Sequence, residues 1–155
     1  MLALTVPLLA TTLAAGSPVQ ALSSRYLEGL FHARPHLATY MGVHTQDGRM
    51  MDLDPPAITQ RIRELNALAA QVKALDPAKL STDDRADARI LADGIALELL
   101  YLTDIREWAW DPRLEDSFPF FDPREYVASR LGELIHGTFA PESQRAKSVA
   151  EQLRA

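Results

Sequence analysis

Beyond Pro18, apolar side chains recur every three or four residues along nearly the whole chain, and no stretch alternates with a period of two. This spacing predicts amphipathic helices throughout. The first runs from about Val19 to Ala33, with Tyr26, Leu27, Leu30 and Phe31 on one side. Arg34-Pro35 ends it, because proline has no N–H and biases the residue before it away from helical angles. A short helical turn from His36 to Met41 follows, stopped by Gly42, and His44 to Gly48 read as a polar turn.

Asp54-Pro55-Pro56 opens the next helix, with aspartate as cap and proline in the first turn. Ile58, Ile62, Leu65, Leu68, Ala69, Val72 and Leu75 form its apolar stripe; Arg61, Arg63, Gln71 and Lys73 fall on the expected wet side. Ser81 and Asp84 resemble a capping box ahead of the longest helix, about Thr82 to Trp108, which at 1.5 Å per residue is roughly 40 Å long. Its apolar residues, among them Ile90, Leu91, Ile95, Leu97, Leu100 and Leu102, occupy more than one face, so it is expected to be central and packed on several sides. Phe118 to Phe121 form an aromatic loop, Asp122-Pro123-Arg124-Glu125 starts another helix, and Pro141-Glu142 starts a last one with Ala146, Val149, Ala150 and Leu153 inward. The last helix carries no stop signal before Ala155. The expected architecture is all-α, an irregular bundle of about five to six helices, read as an incomplete portion of a larger helical fold.

Composition narrows the function classes. Apolar residues make up 47% and charged residues 24%, as in ordinary globular chains, and the net charge is -5. With no basic run, nucleic-acid binding has no electrostatic footprint. The absence of cysteine removes disulfides, thiolate zinc sites and cysteine nucleophiles. Residues 1–24 carry no charged side chain, and Leu2 to Ala15 is apolar. With Val19-Gln20-Ala21 behind it, residues 1–21 read as a signal peptide cleaved near Ala21, implying export; a disordered start on a cytoplasmic protein is the alternative. The run is too short for an integral membrane span.

Candidate chemistry is sparse. His32 and His36 have the spacing of zinc ligands on one helical turn, but Ala33 stands where the general-base glutamate would be, and Pro35 breaks the helix. His44 and Asp47 share a turn bounded by Gly42 and Gly48; a carboxylate can orient an imidazole there, so both are substrate-cleft candidates, with a capping turn as the structural alternative. Glu98 lies on the stripe of Leu91, Ile95 and Leu102 and needs a cationic partner, for which Arg106 and Arg130 are candidates. Trp108, Trp110 and the phenylalanines at 118, 120 and 121 either line a pocket or pin a loop to the core. No residue is assigned a catalytic or metal-ligating role.

Four phrases in order carry a family resemblance: Tyr26-Leu27-Glu28-Gly29-Leu30-Phe31, the run from Pro35 to His44, Asp84 to Leu91, and Trp108-Ala109-Trp110-Asp111-Pro112. Together they resemble the N-terminal part of the bacterial domain of unknown function 885 family. That resemblance implies a helical relative of zinc peptidases of the Taq carboxypeptidase kind, much longer than this chain. It also implies a His-Glu-x-x-His motif further along, zinc as cofactor, peptide as substrate, and a C-terminal helical region as partner. The motif is absent from these residues, so the chain is expected to form a cleft wall and to be inactive alone. A self-standing helical interaction module is the alternative.

Overall fold

The computed structural model describes residues 16–110 and 131–154. Among these residues there are helices and turns and no strand, as the periodicity predicts. Helix α1 spans Pro18–Ala33, α2 Pro35–Tyr40, α3 Pro55–Lys73 and α4 Thr82–Leu100. Helix α5 covers 131–136 of the described residues, and α6 spans Glu142–Gln152. The apolar run to Ala15, Asp111-Pro112, the aromatic stretch 118–121, the helix start at Asp122 and Arg130 all lie outside the described residues.

The starts of α1 and α4 are capped and tied to each other. Ser17 Oγ accepts the Gln20 N–H at 3.2 Å, and Gln20 Oε1 accepts the Ser17 N–H at 3.1 Å, a reciprocal box. Ser81 Oγ accepts the Asp84 N–H at 3.0 Å, as its spacing predicts. The Ser17 hydroxyl also donates to Asp84 Oδ1 at 2.6 Å. The two helices therefore begin at the same end, and α3 runs back between them. Ala21, the expected cleavage position, lies within α1 between the cap and the core.

The core sits on the seam of α1, α3 and α4. Leu22, Leu65, Leu68, Leu91 and Ile95 form one buried cluster, with Val72, Leu75, Leu99 and Leu102 against it. Burying each such side chain contributes about 1.5–3 kcal/mol, so this seam is the main stabilising term. A second, smaller grouping holds the far end. Arg145 Nε donates to the Ala140 carbonyl at 3.0 Å, and its Nη1 donates at 2.7 Å to the Leu134 carbonyl, a group that the end of α5 leaves open.

Several expectations are corrected. Helix α4 holds 19 residues, about 28 Å, rather than reaching Trp108. A π-helical turn over Tyr101–Ile105 follows, closed by the Arg106 N–H on the Tyr101 carbonyl at 2.9 Å. Arg106 then turns left-handed at φ 55°, a conformation costing a side-chain-bearing residue roughly 1–2 kcal/mol, and the helix cannot continue. Nor is α4 covered on all sides: Ile90 is 70% exposed, with Leu97 and Leu100 also open. At the end of α6, Leu153 is exposed and Gln152 is buried, because the Gln152 amide donates to the Asp47 carbonyl. Arg61, assigned to the wet side of α3, is buried.

Candidate functional site

The burial of Arg61 follows from helical geometry. Ile58, Leu65 and Leu68 are the buried apolar residues of α3, and Arg61 falls on the same line at the i+3 position. On α4, Glu98 continues the line of Leu91 and Ile95. The two charges therefore meet at core level, where α3 crosses α4. Arg61 Nε donates to Glu98 Oε1 at 2.9 Å and Nη2 to Oε2 at 3.0 Å. Only 6% of Arg61 and 1% of Glu98 is exposed. The partner of Glu98 is thus Arg61, which is not among the two candidates, Arg106 and Arg130, drawn from the sequence; the guanidinium of Arg106 lies over the Trp108 ring instead, 5.4 Å from its centroid, and Arg130 lies outside the described residues.

Three further groups complete the cluster. The Tyr26 hydroxyl donates to Glu98, and burial, the Glu98 charge and this hydrogen bond together push its pKa up to about 12. The Arg61 guanidinium lies 5.6 Å from the centre of the Tyr26 ring. Burial lowers the pKa of Arg34, while the Glu98 and Tyr26 oxygens oppose that shift. Gly29 makes the approach possible: a Cβ there would collide with Arg61 Nη1, so only a glycine lets α1 lie this close to the guanidinium. Nη1 also lies 3.7 Å from Glu64.

Over this cluster lies a cavity of about 190 Å³, bounded by α1, α2, α3 and the turns after α4. Met51, Leu53, Ile58, Leu102 and Trp108 supply apolar wall, and the Arg61–Glu98 pair forms part of the floor. Trp108 is held there because its Nε1 donates to the Leu102 carbonyl at 3.1 Å, a contact the π turn brings into reach. Both oxygens of Glu98 already accept from Arg61. Glu98 is therefore engaged in the ion pair with Arg61.

The residues singled out from the sequence fall in two places. His32 and His36 both line the cavity. His32 is exposed and Arg49 Nη1 donates to its Nδ1 at 2.5 Å, so a cation already occupies the approach to that ring. No group of three His, Cys, Asp or Glu among the described residues is placed to hold a metal ion. The described residues therefore offer no ligand set that fits zinc. His44 and Asp47 are brought together, His44 Nδ1 lying 3.0 Å from Asp47 Oδ2, but outside the cavity. Asp47 is buried and accepts from the Thr39 hydroxyl; the His44 ring stacks on Phe139 at 3.7 Å and 4°. This dyad joins the turn after α2 to the chain around α6. Trp110 is 63% exposed and lies apart from the cavity.

Sequence reasoning missed Arg61, Tyr26 and Arg34. For Arg61 a signal was available: the stripe Ile58, Arg61, Leu65, Leu68 is as regular as the one drawn through Ile62. For Tyr26 and Arg34, only the crossing of α1 over α3 and α4 brings them to Glu98.

A family model described as bacterial protein of unknown function (DUF885) matches residues 35–155. No curated protein and no solved structure matches the chain. No helix among the described residues is long and apolar enough to cross a membrane.

Proposed function

Because the chain belongs to the bacterial DUF885 family, we propose that it forms a helical wall of the cleft of a zinc-peptidase-like hydrolase, holding peptide substrate rather than cleaving it. One observation supports this reading above the others: a cavity framed by α1, α2 and α3, with an apolar wall drawn largely from the loop before α3 and the turns after α4, and the Arg61–Glu98 pair in its floor. Ligand-binding sites are commonly concave and mostly apolar, with a few placed polar groups. In this reading, zinc and its His-Glu-x-x-His ligands are supplied by a further helical segment, which is also the packing partner of these helices. His44 and Asp47 are secondary candidates for the rim of the same cleft.

The test uses the uninterrupted reading frame that contains this chain. Its product should cleave peptides in a chelator-sensitive manner. Substituting Ala57→Leu, which narrows the cavity, should raise KM with kcat retained. An absence of cleavage, cleavage indifferent to chelator, or kinetics unmoved by the substitution would each overturn the proposal.

The exposed row of Ile90, Leu97 and Leu100 on α4 favours a second reading, a self-standing interaction module. The cleft-wall reading expects the isolated chain to self-associate or to bind a hydrophobic dye. A monomer with a sharp unfolding transition and no dye binding counts against the cleft-wall reading.

A further inference from the structure

We infer that the cavity between α1, α2, α3 and the turns after α4 takes a small apolar zwitterion, a free amino acid with an aliphatic side chain, whose carboxylate meets Arg49 and whose ammonium meets Asp52. The inference rests on the reading of this cavity as a ligand site and names the ligand class; in the cleft-wall reading, such a molecule is a residue that cleavage has released. Arg49 and Asp52 both line the cavity, three positions apart on the loop before α3. The Arg49 guanidinium is held by the His32 ring and by Gln46, whose Oε1 accepts from Nη1 at 3.3 Å. Asp52 Oδ1 accepts the Asp54 N–H at 2.9 Å. These contacts fix the direction of each charge and supply no counter-ion. Neither residue has an ion-pair partner among the described residues.

The other charges of the lining are engaged. Arg61 pairs with Glu98 and lies 3.7 Å from Glu64, and Arg34 and Glu107 have interaction partners. The loop therefore presents one open positive charge and one open negative charge to the same cavity. A ligand with a single charge is drawn to one and repelled by the other, so the two effects offset each other. A ligand carrying both charges on neighbouring atoms, as an amino acid does, gains from each. Met51, Leu53, Ile58, Leu102 and Trp108 offer apolar surface to its side chain. At about 190 Å³ the cavity is smaller than the roughly 300–1,000 Å³ of pockets that hold drug-sized molecules, which suits a single amino acid.

The chain's two tryptophans make the test direct. Substituting Trp110→Phe, at an exposed position outside the cavity, leaves Trp108 as the single reporter. L-leucine should shift Trp108 emission at concentrations about fivefold below those needed for N-acetyl-leucine, which keeps only the carboxylate, or for leucinamide, which keeps only the ammonium. Glycine, with both charges and no side chain, should need about tenfold more than leucine. Arg49→Gln should weaken leucine and N-acetyl-leucine about fivefold and spare leucinamide, whereas Asp52→Asn should weaken leucine and leucinamide and spare N-acetyl-leucine. Both side chains are exposed, so circular dichroism should show parental helix content in each variant. If Trp110→Phe fails to fold, saturation-transfer NMR of the same ligands on the parent chain should give the same ranking. A leucine response no stronger than that of N-acetyl-leucine assigns the site to a carboxylate alone, such as a peptide C-terminus, and overturns the inference. One no stronger than that of leucinamide, or of the uncharged N-acetyl-leucinamide, overturns it too, as does no response at all. Leucine recognised through both charges, together with no hydrolysis by the product of the longer reading frame, would refute the hydrolase reading and leave this one standing. Hydrolysis with no leucine binding would do the reverse.

Discussion

Removing Glu98 should destabilise the protein more than removing Arg61, although the two are direct partners. The asymmetry comes from what each leaves behind. Arg61→Ala leaves Glu98 with the Tyr26 hydroxyl and the nearby charge of Arg34. Glu98→Ala leaves the Arg61 guanidinium, only 6% exposed, without its bidentate acceptor, and takes from Tyr26 its carboxylate. Breaking a buried pair from one side costs about 3–5 kcal/mol, and a stranded buried hydroxyl about 1–3 kcal/mol when fully desolvated. Tyr26 is only partly buried and the terms are not additive, so Glu98→Ala should cost ~5 kcal/mol and Arg61→Ala ~3 kcal/mol. Urea unfolding followed by far-ultraviolet circular dichroism resolves a gap of that size. A domain with only about 5–15 kcal/mol of stability has little left after the larger loss. Glu98→Gln therefore serves as a milder variant, keeping the shape and one acceptor while deleting the charge. The reasoning fails if Arg61→Ala costs as much as Glu98→Ala. It also fails if Glu98→Gln unfolds within ~0.5 kcal/mol of the parent, the range of ordinary surface substitutions.

Other consequences follow from the same geometry. The Tyr26 pKa rises in the fold from 10.0 to about 12, so its contribution to stability is whole below pH 10 and is lost as pH climbs through about 12. Tyr26→Phe should flatten that alkaline decline, seen as a smaller fall in urea midpoint over this window; an unchanged slope would assign the decline to other groups. Gly29→Ala should destabilise by ~1–3 kcal/mol despite alanine's better helix propensity, because its Cβ must displace Arg61 Nη1. Gly132→Ala meets open space and should stabilise by up to ~1 kcal/mol; thermal melts showing the two variants moving together would refute the packing argument. Ser17→Ala should cost ~1 kcal/mol at neutral pH through the lost cap. Hydrogen bonds from Ser17 and Ser81 hold the Asp84 pKa below its ordinary 3.8, so that part of stability is present above 3.8 and lost as pH falls through the lower folded value. The gap between Ser17→Ala and the parent should narrow in acid, and a gap constant with pH would detach Asp84 from the cap.

Much of the architecture could be read along the chain because its causes are local. Arg34-Pro35 ends α1, Asp54-Pro55-Pro56 starts α3 and Ser81 caps α4, each through a backbone group whose partner lies within four residues. The all-helical class and the apolar stripes needed no knowledge of neighbours. Where the reading missed, the deciding partner was distant in sequence. A stripe on α3 can be drawn through Ile62 or through Arg61, and the pattern alone prefers the apolar residue. Only the approach of α4, with Glu98 at the matching level, makes it favourable to bury the arginine. The two-faced apolar pattern of α4 predicted cover on all sides, yet one face stays open, since periodicity records which residues favour burial and not whether a neighbour reaches them. The sequence by itself determined the helices, most of their ends and the placing of His44 beside Asp47. The tertiary structure alone decided that Arg61, Glu98, Tyr26 and Arg34 share one floor, because a buried charge is tolerable only where its counter-charge arrives from another helix.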